Sequence, residues 1–81
     1  MSHVTTLPRS TRLGKFIFGN RTQLGLSLRA LAGGAGMSVS QVHNLETGKD
    51  TNPTLNTMIN LSACLGVSVV VMVRAAIREI D

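Results

Sequence analysis

The chain has 81 residues, which is room for one small domain; a large substrate cleft is excluded, because domains of about 100 residues and below bury proportionally little surface. Charged residues make up only 15% of it, against a typical figure of about 25%, so the exterior is uncharged for an isolated monomer and self-association is one way to cover it. Eight Lys and Arg against four Asp and Glu leave a net charge of +4, which favours an anionic partner, nucleic acid before a membrane surface.

Met1 to Thr11 is polar, contains Pro8 and shows no sustained period. It reads as a loose arm, residues 1–11, without the apolar core of a signal peptide. Leu13, Ile17 and Leu24, with Phe16 alongside, recur at helical spacing and predict a helix over 12–24. Gly25 sits where a left-handed cap would end it, and Gly14 and Gly19 weaken its interior.

In "LSLRALAGGAG", Ser27 is placed to cap a second helix of about two turns. Leu28, Leu31 and Ala32 form its inward stripe, and Gly33, Gly34 and Gly36 stop it. The next cap, Ser38, follows so closely that the two helices cannot lie antiparallel, which is a helix-turn-helix arrangement.

The third helix is carried by "GMSVSQVHNLETGK". At about 100° per residue, with Val42 and Leu45 inward, Ser40, His43, Asn44 and Thr47 face out, while Val39, Gln41 and Glu46 lie on the flanks. A solvated helix face more often carries Lys and Glu. Compact amides and hydroxyls suit base edges in a major groove, and a small apolar group such as Val suits a thymine methyl. Two Phe with no Tyr or Trp argue against stacking on single strands, so a duplex is the expected nucleic acid.

Further on, "TNPTLNTMINLSACLG" predicts a fourth helix capped by Thr54 and closed by Gly66, with Leu55, Met58, Ile59, Leu61, Ser62 and Leu65 inward. The domain thus spans residues 12–66 and the tail residues 67–81. In the tail, Val67, Val69, Val70, Val71, Met72 and Val73 are almost continuously β-branched, which favours a strand. A lone strand has unpaired edges and needs a twofold mate. The competing reading is a fifth helix capped by Ser68, also packed on its symmetry mate. Either way those six residues are the expected dimer interface. The apolar run is far short of the roughly 20 residues that span a bilayer, so no membrane partner is expected and a cytoplasmic location is the simplest reading.

Cys64 is the only cysteine and cannot build a disulfide framework; with only His3 and His43 beside it, no metal cluster and no cofactor are expected. No His or Asp stands at a suggestive spacing from Cys64, so it reads as a core residue and the chain as no enzyme.

From Leu13 to Val67 the chain resembles the phage Cro and repressor class of helix-turn-helix proteins, the XRE family. The resemblance rests on Arg21, the "GLS" of Gly25 to Ser27, Leu31 and Ala32, Gly36, Ser38, Val42, Leu45 to Gly48 and Asn52 to Leu55, all in register without insertion. It implies an all-α, lambda-repressor-like bundle of four helices plus a C-terminal dimerisation strand or fifth helix. Ser38, Val39, Ser40, Gln41, His43, Asn44 and Lys49 are then the DNA-binding set, and Arg21 and Glu46 a structural ion pair. Base reading falls to Val39, Ser40, Gln41 and Asn44, and phosphate contact to Lys49 and the backbone amides that open the fourth helix.

Several of these assignments have a second reading. Ser38 and Gln41 stand at capping-box spacing, so Gln41 serves either a base or its own helix terminus. His43 suits solvent or phosphate better than a base, and Lys49 is otherwise an ordinary loop lysine. Leu28 stands where the family commonly has a phosphate-contacting Gln, leaving Arg29 as a substitute. Arg9 and Arg12 are further sources of positive charge.

The function expected is a homodimeric repressor that binds a palindromic double-stranded DNA operator. The alternative is an antitoxin that sequesters a toxin protein and represses its own operon, because the tail resembles that of HipB-like antitoxins, which place an intermolecular strand there.

Overall fold

Each of the first four helices opens on a hydroxyl; the second, third and fourth close on a glycine in the left-handed region, and the first closes on Leu24 with such a glycine, Gly25, directly after it. The computed structural model describes residues 11–77 and contains α1 (Arg12–Gln23), α2 (Leu28–Ala35), α3 (Val39–Thr47), α4 (Leu55–Leu65) and α5 (Val69–Ile77). The arm assigned to 1–11 lies outside the described residues except for Thr11, and so does the tail beyond Ile77.

The caps are local and strong. Thr11, Ser27, Ser38 and Thr54 each accept from the backbone N–H three residues on, at 2.8 to 3.1 Å. Each such cap contributes about 1 kcal/mol by satisfying one of the free donors at a helix start.

α1 packs on α3 and α5, α2 on α3 and α4, and α4 on α5. The shared core holds Leu13 and Ile17 of α1, Leu31 and Ala35 of α2, Val42 and Leu45 of α3, Leu61 and Leu65 of α4, and Met72 of α5. Full burial of such a side chain stabilises by roughly 1.5–3 kcal/mol, so these contacts, more than helix propensity, hold the short helices together.

The fold differs from the sequence expectation in three places. Gly33 and Gly34 do not stop α2, which runs through them to Ala35 and ends at Gly36, φ +70°. At Gly34 the reason is packing, because a Cβ there would stand 2.9 Å from the Cys64 sulfur of α4. Leu55 and Ile59 are not inward but 59% and 44% exposed.

The third difference is the tail, which is helix α5 in place of the favoured strand, with no strand among the described residues. β-branched side chains disfavour helix by only a few tenths of a kcal/mol each, and Met72 and Ala75 stand at i, i+3 to fill the gap between α1 and α4. The burial of Met72, fully enclosed in its own protomer, decides against an extended chain and removes that side chain from any dimer interface.

Candidate nucleic-acid interface

α3 is held at both ends. At its start the Ser38 hydroxyl accepts from the Gln41 N–H at 3.1 Å, and the Gln41 Oε1 accepts from the Ser38 N–H at 2.8 Å. The Gln41 oxygen is therefore engaged by its own helix terminus, which leaves its amide N–H groups to meet an acceptor.

At the other end, Arg21 of α1 donates from Nε to Glu46 Oε2 at 2.7 Å and from Nη2 to Oε1 at 3.1 Å. Its remaining nitrogen donates to the Leu26 carbonyl at 2.8 Å, and its guanidinium lies 5.4 Å from the Phe18 ring centroid. One buried side chain thus ties α1, the α1–α2 turn and α3 together. The hydrogen bonds to Glu46 hold the Arg21 pKa above its ordinary value, against the opposing effect of burial. Both Glu46 oxygens are occupied, so the single acidic group of α3 is neutralised within the fold.

α1 also meets α3 through Gly14. A Cβ on Gly14 would stand 2.5 Å from the Glu46 carbonyl oxygen and 2.6 Å from that of Leu45. Only a residue without a side chain allows this approach. Sequence reasoning counted Gly14 as a weak point of α1, because its partner is distant in sequence.

The outward side of α3 is then set. Val42, Leu45 and Glu46 are buried, whereas Val39, Ser40, Gln41 and His43 are exposed and Asn44 and Thr47 half-buried. The Thr47 hydroxyl donates to the His43 carbonyl at 2.9 Å, and the Asn44 carbonyl accepts from the Asp50 N–H at 3.0 Å. Among the described residues no partner meets the Asn44 side chain, which shares its helix face with Ser40, four residues earlier. Lys49 is exposed just beyond Gly48, and Arg29 is exposed on α2. The Ser27 hydroxyl is spent on its cap, and Leu28 beside it is half-buried against the core.

Arg12 stands apart from this group. On α1, Gly14 and Arg21 turn toward α3, and Arg12 and Phe16 line a groove with α5 on a nearly opposite flank. Arg9 lies outside the described residues. Among the described residues there is no cluster of metal-ligating side chains and no helix long and apolar enough to cross a membrane.

The chain is similar to known proteins. A helix-turn-helix family model matches residues 20–71. The N-terminal DNA binding domain of SinR from Bacillus subtilis is 34% identical, with 75% of this chain and 88% of that one covered at a TM-score of 0.72. The restriction-modification controller protein C.AhdI from Aeromonas hydrophila is 27% identical, with 76% and 92% covered at 0.72. The clp gene regulator ClgR from Corynebacterium glutamicum is 26% identical, with 80% and 68% covered at 0.72. A comparison with curated protein sequences finds no match.

Proposed function

The chain belongs to the XRE, or Cro and repressor, type of helix-turn-helix DNA-binding regulators, and we propose that it is a homodimeric repressor that reads a pseudo-palindromic operator with α3. The observation that carries the proposal is the clamped, uncharged outward face of α3: Val39, Ser40 and Asn44 are presented while Arg21, Gly14 and the Ser38–Gln41 box fix the helix beneath them. A rigid helix with compact polar groups is suited to direct readout in the major groove. The relative SinR is known in complex with DNA, which supports the same role here.

Phosphate contact falls to Lys49, to Arg29 and to the amides at the start of α4. His43, exposed on α3, is assigned to backbone contact as well.

The dimer contact is assigned to the outward face of α5 and the neighbouring flank of α4. Cys64 turns toward α2, so Leu55 and Ile59 occupy the α5 side of α4. On α5, Val73 and Ile77 line a cavity with Met58 and Pro53, and Val70 continues that row one turn back. Val70, Ile77, Leu55 and Ile59 are all more than two-fifths exposed, an apolar surface that a twofold mate would cover. Half-sites then lie about one helical turn, roughly 34 Å, apart.

Probing the DNA upstream of the coding region for protection by the purified protein, with its oligomer mass measured alongside, tests this reading. Protection of two symmetric half-sites by a dimer is expected; a monomer without sequence preference would refute it.

A second reading has its own support: SinR is also known in a complex with the SinI protein, and this chain spans 58% of the SinR in that complex. The chain would then be an antitoxin or similar partner-binding regulator. Co-purification with the product of the adjacent gene tests it.

A further inference from the structure

The two amide side chains of α3 outside its core, Gln41 and Asn44, differ in what they have free. The Ser38 N–H can only donate, so the Gln41 atom that meets it at 2.8 Å is the oxygen, and the orientation of that amide follows from its partner. The Gln41 N–H to the Ser38 hydroxyl at 3.1 Å closes the same box and holds the first turn of α3 around it. Gln41 is exposed, and among the described residues nothing accepts from its amide nitrogen. The side chain is therefore a donor: one end is spent on its own helix, and two N–H groups are left for an acceptor from outside.

A free amide recognises adenine with both ends at once, its oxygen accepting from N6–H and its nitrogen donating to N7. Gln41 makes that pair only by giving up its capping bond, a loss of about fivefold in affinity. A guanine edge presents two acceptors, O6 and N7, and no donor, so a donor amide meets it with the cap intact. Cytosine presents only the N4–H2 donor and leaves the Gln41 nitrogen unmet. Asn44, three residues on and about 60° round the helix, carries no such tie and keeps both ends for adenine.

We propose that Gln41 is a specificity-determining residue that selects guanine at one base pair of each half-site, its oxygen capping α3 while its nitrogen donates to the O6 and N7 edge. One side chain then both holds the helix and reads a base, and the two amides of α3 select different bases. The proposal rests on the reading in which α3 enters the major groove of an operator.

The test selects duplexes from a random pool with the full chain, then measures affinity for single-base variants of the enriched site by fluorescence anisotropy. Gln41→Glu keeps an oxygen for the Ser38 N–H but has no donor, and Gln41→Ala has neither. The parent is expected to prefer guanine at one position of each half-site by about tenfold, and Gln41→Glu to exchange that preference for cytosine, whose N4–H2 donates to a carboxylate. Gln41→Ala is expected to be indifferent at that position and to keep its other preferences. Ratios between duplexes cancel the general repulsion of the added carboxylate from phosphate, and thermal unfolding of Gln41→Glu at or above that of the parent shows the cap intact. A capping role alone leaves every base preference unchanged in Gln41→Glu, and that result overturns the proposal. Adenine at the Gln41-dependent position overturns it too, because the oxygen must then leave the cap, and so does a loss spread evenly over all duplexes, which assigns the amide to phosphate. If the parent enriches no sequence, the operator reading fails along with the proposal, whereas a defined site left unchanged by both variants rejects Gln41 alone.

Discussion

Arg21 of α1 and Glu46 of α3 form a two-pronged ion pair at 2.7 and 3.1 Å, with side chains only 11% and 6% exposed. Removing one partner strands the other as an uncompensated buried charge, at a cost of about 3–5 kcal/mol. Arg21→Met is therefore expected to lower the unfolding free energy measured in urea by that amount, and Arg21→Met with Glu46→Leu to recover most of it. Because the folded pKa of Arg21 is raised, its contribution is fully present below the unfolded value and lost only as pH rises through the higher folded one. The loss measured for Arg21→Met should thus owe no pH dependence to the arginine between pH values of about 6 and 9. An unchanged midpoint would show that the pair contributes nothing to stability.

Two glycines of the same helix make opposite predictions. A Cβ on Gly14 would stand 2.5 Å from the Glu46 carbonyl, whereas one on Gly19 meets nothing within 4 Å. Gly19→Ala is expected to stabilise by about 0.5–1 kcal/mol, the helix-propensity gain. Gly14→Ala has to push α3 away from α1, and backbone atoms cannot swing aside as a side chain can. A destabilisation of about 1–3 kcal/mol is expected, together with weakened DNA binding as α3 shifts. Thermal unfolding of the two variants side by side checks the contrast; a stabilised Gly14→Ala would show that α1 and α3 are not in this contact.

The difference between these glycines marks where the sequence is legible. The caps at Ser27, Ser38 and Thr54 are readable because donor and acceptor lie three residues apart, and the inward pair Val42 and Leu45 because one helix sets its own period. The demand for Gly14 comes from α3, and that for Gly34 from Cys64 on α4, so neither could be read locally. The α5 segment misled for a related reason. Its valines look like a strand, and only the space between α1 and α4 makes the helical spacing of Met72 and Ala75 decisive. On α3, the fourteen-residue motif displays its outward groups plainly, but which of them are spent internally needed geometry, as with the Gln41 oxygen.

The apolar face of α4 and α5 yields a third prediction. Val70 is 58% exposed and is not one of the residues packed against the core, so Val70→Glu leaves the core intact. A carboxylate at the centre of a dimer interface leaves two like charges desolvated across the twofold axis, at a cost of several kcal/mol. On the proposed dimer, sedimentation is expected to show a folded monomer for Val70→Glu beside a dimeric parent, with operator affinity falling as the second half-site is lost. A dimer that persists in Val70→Glu would place the contact elsewhere.

The last prediction separates reading from holding. Asn44 faces outward beside Ser40, and a bidentate amide on an adenine edge is worth about 1–3 kcal/mol of discrimination. Asn44→Ala is expected to lose that much operator affinity while non-specific binding stays the same, so the preference among bases narrows. Lys49 is exposed beyond the end of α3 and is assigned to phosphate, where contact carries no sequence information. Lys49→Ala is therefore expected to weaken operator and random DNA equally and to reduce the slope of affinity against salt by about 1. Binding isotherms for both variants on operator and scrambled duplexes, over a range of salt, distinguish the two roles. If Asn44→Ala weakened both duplexes alike, the amide would be a positioning contact, and base reading by α3 would fall to Val39 and Ser40.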